Sequence, residues 1–202
     1  MRVIGGSARG RVLRSLPQPR ASRTGHLAGR AGLRPVRSVR PTSDLVRGVI
    51  FDMLDAMGAS YERVLDLYAG TGALGIEALS RGEGTADFVE QDAEAARIIR
   101  ANLALTGFDT RAGVHVLPVA RAASRLRGAY TLVLADPPYY DTGAIAAVEA
   151  MAGPPHIADG SVLVLEHHRR TAAPDALGTM DLYRRRRHGD TVVSIYEQEG
   201  SP

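Results

Sequence analysis

The most constraining feature of the sequence is the stretch 64–75, which reads VLDLYAGTGALG. The apolar run at 64–67 predicts a β-strand, and Gly70 and Gly72 follow it at a turn that opens a helix over 73–81. Glycines at such a turn let the backbone take positive φ angles and approach a ligand closely. Because the free N–H groups of the helix start point to the same place, this stretch predicts a ligand site at the carboxyl end of a sheet strand.

Three interpretations of this turn are open. Gly70-x-Gly72-x-x-Gly75 matches the fingerprint of dinucleotide-binding proteins, and an ordinary βα turn without a ligand is the simplest alternative. Asp66, however, lies four residues before Gly70, and Asp-x-x-x-Gly-x-Gly is typical of methyltransferases that use S-adenosylmethionine (SAM). A carboxylate suits the amino-acid end of that cationic cofactor and does not suit an anionic pyrophosphate. Glu90 ends the next apolar run, where an acid can accept hydrogen bonds from both ribose hydroxyls in either kind of cofactor site.

The composition excludes several classes of function. The 202 residues contain no cysteine, which excludes disulfides and cysteine-based metal or nucleophile chemistry. No apolar stretch reaches membrane-spanning length and no signal-peptide pattern opens the chain, so we expect a cytoplasmic protein without a membrane partner. His167 and His168 are adjacent on a predicted strand and face opposite ways, so we expect no metal site. We expect the chain to act as a monomer.

Charge is distributed unevenly along the chain. Residues 1–47 hold eleven arginines and one acid, whereas the remainder holds fourteen arginines and twenty-one acids. A basic arm on a mildly acidic domain predicts a polyanionic partner, and a basic tail without a partner is the alternative. Arg9, Arg11 and Arg40 are the candidate RNA contacts of this arm. The arginines at 184–187 are expected on a solvated edge strand, where alternate side chains are second candidates for phosphate contact.

Strands and helices are predicted to alternate through the rest of the chain. The predicted strands are 64–67, 86–90, 114–117, 130–135 and 162–166, the helices are 42–57, 73–81, 93–106, 120–126 and 143–151, and a hairpin of 179–187 and 191–197 closes the chain. This order predicts an α/β fold, namely a Rossmann-like, doubly wound, mostly parallel sheet with a C-terminal antiparallel hairpin. Residues 1–16 predict a small basic N-terminal β-hairpin extension.

The first predicted helix has an apolar face at spacings of three and four residues. The members of that face are Val46, Val49, Ile50, Met53, Leu54 and Met57. Arg47 is expected to lie off this face, and the helix is expected to pack on the sheet as the link between the arm and the domain.

A second chemical motif, Asp136-Pro137-Pro138-Tyr139, directly follows the predicted strand 130–135. The prolines fix φ and donate no hydrogen bonds, so we expect a stiff turn whose carbonyls are free to accept. A planar group with an NH₂ fits such a turn, because its amine can donate to Asp136 and to the Pro137 carbonyl while its ring stacks on Tyr139. A rigid turn without function is the alternative. Both motifs are expected at the same edge of the sheet.

Together these motifs resemble a known family. Asp136 to Tyr139 fits [DNS]-P-P-[YFW], the signature of class I SAM-dependent methyltransferases that act on amines. RVIGG-x-x-RGR at the N-terminus, RPTSDLVRGVIFDML at 40–54 and LDLYAGTGALGIEALSRG at 65–82 resemble the RsmD family. That family methylates the exocyclic N2 of one guanine in 16S rRNA. The resemblance therefore implies SAM as cofactor and 16S rRNA, or a partly assembled small ribosomal subunit, as partner.

The resemblance also implies roles for individual residues. The cofactor-binding residues would be Asp66, Tyr68, Ala69, Gly70, Thr71, Gly72, Glu90 and Gln91. The catalytic residues that hold the guanine would be Asp136, Pro137, Pro138 and Tyr139. The chain would divide into a basic arm at 1–41, made of the hairpin and an arginine-rich loop, and a SAM-dependent methyltransferase domain at 42–202.

The sequence departs from the family pattern in two places. The loop at 17–39 is about twenty residues longer than is usual between the RGR and RPT segments, and the region 118–121 lacks the usual acid or amide near the adenine, so backbone groups are expected to hold that ring. Two other functions stay open, a DNA adenine N6-methyltransferase with the same D-P-P-Y chemistry and a non-catalytic RNA-binding assembly factor.

Overall fold

The computed structural model of the chain describes residues 1–16 and 44–199. The arginine-rich loop at 17–39 and the candidate RNA contact Arg40 lie outside the described residues. The described strands are β1 (Arg63–Leu67), β2 (Thr85–Glu90), β3 (Ala112–Val116), β4 (Tyr130–Ala135), β5 (Ile157–His168), β6 (Ala176–Leu177), β7 (Met180–His188) and β8 (Thr191–Glu197). The described helices are α1 (Asp44–Met57), α2 (Ala73–Arg81), α3 (Ala93–Thr106), α4 (Ala122–Arg125) and α5 (Ala144–Glu149).

These strands form one sheet in the order β3-β2-β1-β4-β5-β8-β7-β6. The first five strands pair in parallel, and β8, β7 and β6 add to β5 as antiparallel neighbours. The predicted mostly parallel sheet with a C-terminal antiparallel hairpin is therefore confirmed. Strand β6 is an addition to the prediction, because two residues are too short to show the alternation that marks a strand.

The central strands are buried on both faces. Val64 and Leu132 join one apolar cluster together with α1, α2 and α3, whereas their neighbours Leu65 and Val133 join a second cluster with α5. Successive side chains of a strand point to opposite faces, so helices must cover both sides of this sheet. None of the helices within 44–199 is long and apolar enough to cross a membrane.

Helix α1 is buried on a face that is shifted from the predicted one. Its buried residues are Val46, Arg47, Ile50, Phe51 and Leu54. The predicted face members Val49, Met53 and Met57 are only half-buried. The expectation that Arg47 lies off the buried face is wrong, because its charge finds a buried partner in Glu77 of α2, with Nε of the arginine 3.7 Å from Oε2 of the glutamate. A tertiary ion pair thus overrides the apolar periodicity of the helix.

Residues 1–16 reverse direction as the sequence predicts. The segment has a single antiparallel bridge, Arg2 to Val12, rather than a ladder of strand pairs. Val3 and Leu13 are buried in the same apolar cluster as α1 and α2. Residues 1–16 therefore pack directly against the sheet-covering helices, and the division of the chain at residue 41 remains our proposal.

Polar contacts fix this N-terminal hairpin to α2. The carboxylate of Glu77 accepts hydrogen bonds from the backbone N–H groups of Ile4 at 2.8 Å and Gly5 at 2.7 Å. Gly6 lies so close to the C-terminal turn of α2 that a Cβ atom on it would be 1.7 Å from the Ser80 carbonyl oxygen. Gly6 of the N-terminal motif is thus required by the contact between two backbones, whereas a Cβ atom on Gly5 would meet the Arg81 side chain at 2.7 Å.

Candidate functional site

The two chemical motifs leave the sheet side by side. Strands β1 and β4 pair in parallel, and Leu67 at the end of β1 is the partner of Ala135 at the end of β4. The loop 68–72 and the turn 136–139 therefore start from adjacent positions on one edge. The expectation that both motifs lie at the same edge of the sheet is confirmed.

The glycine loop is a tight backbone turn. Gly70 and Gly72 have φ angles of 57° and 79°, which favour glycine, and Gly72 N–H donates to the Ala69 carbonyl at 2.7 Å. Tyr68 also has a positive φ of 60°, and it is the only non-glycine residue of 1–16 and 44–199 that does. Such a conformation is strained for a tyrosine, and strain of this kind is concentrated at ligand sites.

Glu90 fastens this loop to the end of β2. One carboxylate oxygen accepts from the Gly70 N–H at 2.9 Å, and the other accepts from the Asp92 N–H at 2.8 Å. Each carboxylate oxygen has two lone pairs, so the side chain retains acceptor capacity for hydroxyl groups. Gln91, the other residue assigned to the ribose end, is exposed beside it. The sequence predicts that Glu90 accepts from the ribose, but it does not predict that Glu90 also binds the backbone of the glycine loop.

Asp66 is a buried carboxylate below the loop. Its Oδ2 accepts from the Gly75 N–H at 2.8 Å. Burial, together with the negative charges of Asp136 and Glu90, raises the pKa of Asp66 to about 7 against the opposing effect of that hydrogen bond. Three acidic groups therefore interact electrostatically at this edge of the sheet.

The third glycine of the fingerprint has a packing role. A Cβ atom on Gly75 would lie 2.4 Å from the ring of Phe88 and 3.0 Å from Oδ2 of Asp66. Helix α2 can approach β2 this closely only with glycine at that position. The third glycine of the match therefore follows from helix–strand packing, and the match as a whole does not require a dinucleotide.

The charge of the site fits a cationic cofactor. Glu90 and Asp136, joined by Asp66 in its ionised form, place negative charge where a dinucleotide would place its anionic pyrophosphate, and that arrangement disfavours such a ligand. The ammonium and sulfonium groups of SAM would instead be attracted by these carboxylates. The residues present therefore fit SAM. In the described parts of the chain, no group of three His, Asp or Glu residues is arranged to hold a metal ion.

The D-P-P-Y turn presents a carboxylate and an aromatic ring. Asp136 is half-buried, Pro137 is buried, and the side chain of Tyr139 is 45% exposed. The Pro138 carbonyl accepts from the Asp141 N–H at 2.9 Å. The expectation that both proline carbonyls are free to accept is thus wrong for Pro138, because that carbonyl closes the turn. This correction does not affect the acceptors proposed for an amine, which are Asp136 and the Pro137 carbonyl.

Two contacts hold the ring of Tyr139. Its hydroxyl is 2.9 Å from Oγ1 of Thr191, at the start of β8. Its ring centroid is 5.2 Å from that of His168, at the end of β5, with an angle of 59° between the planes. The sequence gives no reason to select either partner, because both are distant in the chain and carry no motif.

Asp141 and Asn102 are further site residues that sequence reasoning missed. Burial raises the pKa of the Tyr68 hydroxyl, and the negative charge of the nearby Asp141 carboxylate raises it as well. Asn102 of α3 is fully buried and donates from Nδ2 to the Thr71 carbonyl at 2.9 Å. The same amide accepts from the Arg14 N–H at 2.7 Å, so it joins the glycine loop to the N-terminal arm. A polar residue among the apolar positions of a predicted helix was the available signal.

The two candidate RNA contacts of the arm that the structure describes, Arg9 and Arg11, lie away from this edge. Arg9 and Arg11 are exposed, as expected. Their turn contacts the C-terminal end of α2, where Ser7 N–H donates to the Ser80 carbonyl at 2.7 Å. The glycine loop lies at the opposite end of the same helix, so the structure does not bring these two arginines to the D-P-P-Y motif.

Known proteins match this sequence over most of its length. Residues 24–197 match the family described as Conserved hypothetical protein 95. "Putative rRNA methyltransferase YlbH" of Bacillus subtilis is 32% identical over 205 residues, which cover 99% of this chain and 100% of that protein. "Ribosomal RNA small subunit methyltransferase D" of Escherichia coli K12 is 28% identical, over 98% of this chain and 90% of that protein.

A solved structure agrees with these sequence matches. A conserved hypothetical protein of Streptococcus pyogenes superposes with a TM-score of 0.69 at 34% identity, over 76% of this chain and 96% of that one. The N-terminal, glycine-loop and D-P-P-Y motifs therefore occur in a chain whose sequence and fold both match known relatives. The chain belongs to the Conserved hypothetical protein 95 family, which is the RsmD family of SAM-dependent methyltransferases.

Proposed function

We propose that this protein methylates the exocyclic N2 amine of a guanine in the 16S rRNA of the small ribosomal subunit, with SAM as the methyl donor. The observation that carries the proposal is the parallel pairing of β1 with β4, which sets the acidic glycine loop beside the D-P-P-Y turn. The names of the Bacillus subtilis and Escherichia coli relatives support rRNA as the class of substrate. The name of the second relative supports the small subunit in particular.

The residues of the glycine loop would hold the cofactor. The cofactor set is Asp66, Tyr68, Ala69, Gly70, Thr71, Gly72, Glu90 and Gln91. Within it, the Asp66 carboxylate would attract the cationic amino-acid end, and Glu90 would accept from the ribose hydroxyls. When bound, SAM supplies a methyl group on a sulfonium that is a good leaving group.

The D-P-P-Y turn would position the target amine. The lone pair of a guanine amine is delocalised into the ring, so the amine is a poor nucleophile. Asp136 and the Pro137 carbonyl would accept hydrogen bonds from its two N–H groups, which turns the lone pair outward and stabilises the positive charge that develops on nitrogen. The methylated amine is acidic and would then release one proton to water. Tyr139 would stack on the ring, and Pro138 would keep the turn stiff. Positioning of this kind supplies roughly 7–11 kcal/mol of a reaction barrier.

Cofactor affinity is expected to depend on pH through Asp66. Its pKa of about 7 means that the carboxyl is mostly protonated at pH 6 and mostly ionised at pH 8. Only the ionised form attracts a cation, so SAM affinity should rise about tenfold from pH 6 to pH 8. Calorimetric titration of SAM at both pH values measures this change. Asp66→Asn should bind SAM weakly and without this pH dependence, and a flat profile in the wild type would contradict the role given to Asp66.

The proposed substrate is tested by methyl transfer from labelled SAM to small-subunit RNA and, in parallel, to double-stranded DNA. The proposal expects label in RNA and none in DNA. Label in DNA adenine alone would support the alternative DNA N6-methyltransferase. SAM binding without transfer to RNA, DNA or small-subunit particles would support a non-catalytic assembly factor.

A further inference from the structure

We propose that the face of β7 that carries Arg184 and Arg186 binds the phosphate backbone of the RNA strand whose target base reaches Tyr139. This inference rests on the proposed function and adds a basic surface that is separate from the N-terminal arm. It concerns the C-terminal hairpin, formed by β7 and β8, which has no part in the cofactor site.

The C-terminal hairpin forms one wall of the proposed target-base site. Tyr139 hydrogen-bonds to Thr191 at the start of β8 and packs its ring on His168. Thr191 is the register partner of His168 on one side and of His188 on the other. The ring that would stack on the target base therefore lies against His168 and Thr191, with His188 the next residue of this row. The turn of the hairpin lies at the edge where the reaction would occur.

The strand register assigns the arginines of β7 to two faces. Residues directly opposite in an antiparallel pair point to the same face, and alternate residues along a strand share a face. Arg184 and Arg186 therefore share the face of His188 and Thr191, which is the face that contacts Tyr139. One step of two residues is roughly 7 Å along a strand. Arg186 is thus one step from the row beside Tyr139 and Arg184 is two.

The other face of β7 is occupied by a different set of contacts. Arg185 donates from Nε to Oγ of Ser194 at 3.1 Å and forms an ion pair with Asp175 at 3.3 Å. Arg187 donates from Nε to the Gly189 carbonyl at 2.8 Å. Arg185 therefore has a structural role in holding the loop before β6, whereas Arg187 is an exposed arginine on the face away from Tyr139.

Arg184 and Arg186 are exposed cations on an outer strand. Strand β6 pairs only with Met180 and Asp181, so in the described sheet residues 184–188 form an outer edge. The ion pairs found among the described residues include neither Arg184 nor Arg186. Arginine is suited to phosphate because its planar guanidinium can donate two parallel hydrogen bonds. Charged side chains also protect sheet edges from pairing with other chains. The test must therefore distinguish phosphate binding from such edge protection.

Arg184 and Arg186 are better placed than the arginines of the N-terminal hairpin to bind the RNA next to the target base. Arg9 and Arg11 lie at the far end of α2, whereas Arg184 and Arg186 lie on the strand that pairs with β8, the strand whose first residue contacts Tyr139. A base that stacks on Tyr139 would bring its flanking phosphates to the surface around that ring. This row of arginines is complementary in charge to a phosphate backbone, and the proposed rRNA substrate supplies that backbone beside the target base.

The test compares Arg184→Gln/Arg186→Gln with Arg187→Gln, an exposed arginine of the same strand on the opposite face. RNA affinity is measured for an unmodified 16S rRNA transcript at salt concentrations from about 50 to 300 mM. Removal of one arginine–phosphate interaction with single-stranded RNA lowers the slope of log affinity against log salt by about 0.7. The double variant should therefore have a slope shallower by about 1.4 and bind on the order of tenfold more weakly at low salt. Arg187→Gln should keep the wild-type slope.

Further measurements separate this inference from its alternatives. Affinity for S-adenosylhomocysteine and the melting temperature should be the same in all three proteins, which excludes damage to the cofactor site or the fold. A wild-type slope in the double variant would overturn the inference and leave edge protection as the role of these arginines. An equally shallow slope in Arg187→Gln would overturn the assignment to one face. Failure of the wild type to bind both the transcript and small-subunit particles, with cofactor binding intact, would instead overturn the proposed function on which the inference rests.

Discussion

Asp136→Ala is expected to reduce kcat for methyl transfer by about 10²–10³. The substitution removes an acceptor for the target amine and the negative charge that would stabilise the positive charge developing on nitrogen. Asp136 is half-buried and directly follows Ala135, the last residue of β4, which pairs with Leu67 of β1. From there its negative charge raises the pKa of the Asp66 carboxyl. Single-turnover transfer of labelled methyl to RNA measures the loss, and titration with S-adenosylhomocysteine checks that the cofactor site is retained.

Two further variants make this prediction specific. Asp136→Asn keeps an oxygen acceptor but not the charge, so its activity should lie between those of the alanine variant and the wild type. Asp159→Ala removes an exposed acid near the amino end of β5, at the opposite edge of the sheet, and should leave kcat unchanged. Near-normal turnover by Asp136→Ala with intact cofactor binding would remove Asp136 from the mechanism.

The largest expected effect on stability comes from Glu77→Ala, which should lower the free energy of unfolding by about 3–5 kcal/mol. Glu77 and Arg47 are both fully buried, so the alanine variant leaves the buried arginine charge with only the exposed Asp44, at 3.0 Å, as its acidic partner. The variant also removes the acceptor for the N–H groups of Ile4 and Gly5. Urea denaturation followed by circular dichroism measures the change.

The matched control for this prediction is Glu83→Ala, which removes a fully exposed acid from the turn after α2. That variant should unfold at nearly the wild-type urea concentration. Glu77→Gln keeps an acceptor for one of the backbone N–H groups and should be destabilised less than the alanine variant. Equal midpoints for Glu77→Ala and Glu83→Ala would show that the buried pair does not fix the N-terminal hairpin to α2.

The elements of the fold that were predictable are those governed by local periodicity. Strand β4 and helix α3 have the predicted bounds, because a fully apolar run and a helical repeat ended by Gly107 leave little ambiguity. The adjacency of the two motifs was also predictable, since parallel strands place their carboxyl ends at one edge. The position of the glycine loop was predictable for the same reason, and its glycines were predictable because the turn is formed by the backbone and not by a distant side chain.

The elements that were missed depend on partners distant in the chain. Arg47 was predicted outside the core because no local pattern indicates that Glu77 will be buried against it. Thr191 was missed because its contact with Tyr139 depends on β8 lying beside β5, which the order of strands along the chain does not specify. Asn102 was missed because an amide within an apolar helix face gives no indication of which backbone groups it will bind. Side-chain partners of this kind are set by packing.

The measurement that tests the central claim most directly is transfer of labelled methyl from SAM to small-subunit particles that lack this modification, followed by digestion of the RNA to nucleosides. The account predicts label in N2-methylguanosine, with loss of that label in Asp136→Ala and its retention in Asp159→Ala. Label in any other nucleoside would contradict the proposed guanine-N2 specificity. Absence of label from the RNA, in a protein that binds SAM, would contradict the proposed function as a whole.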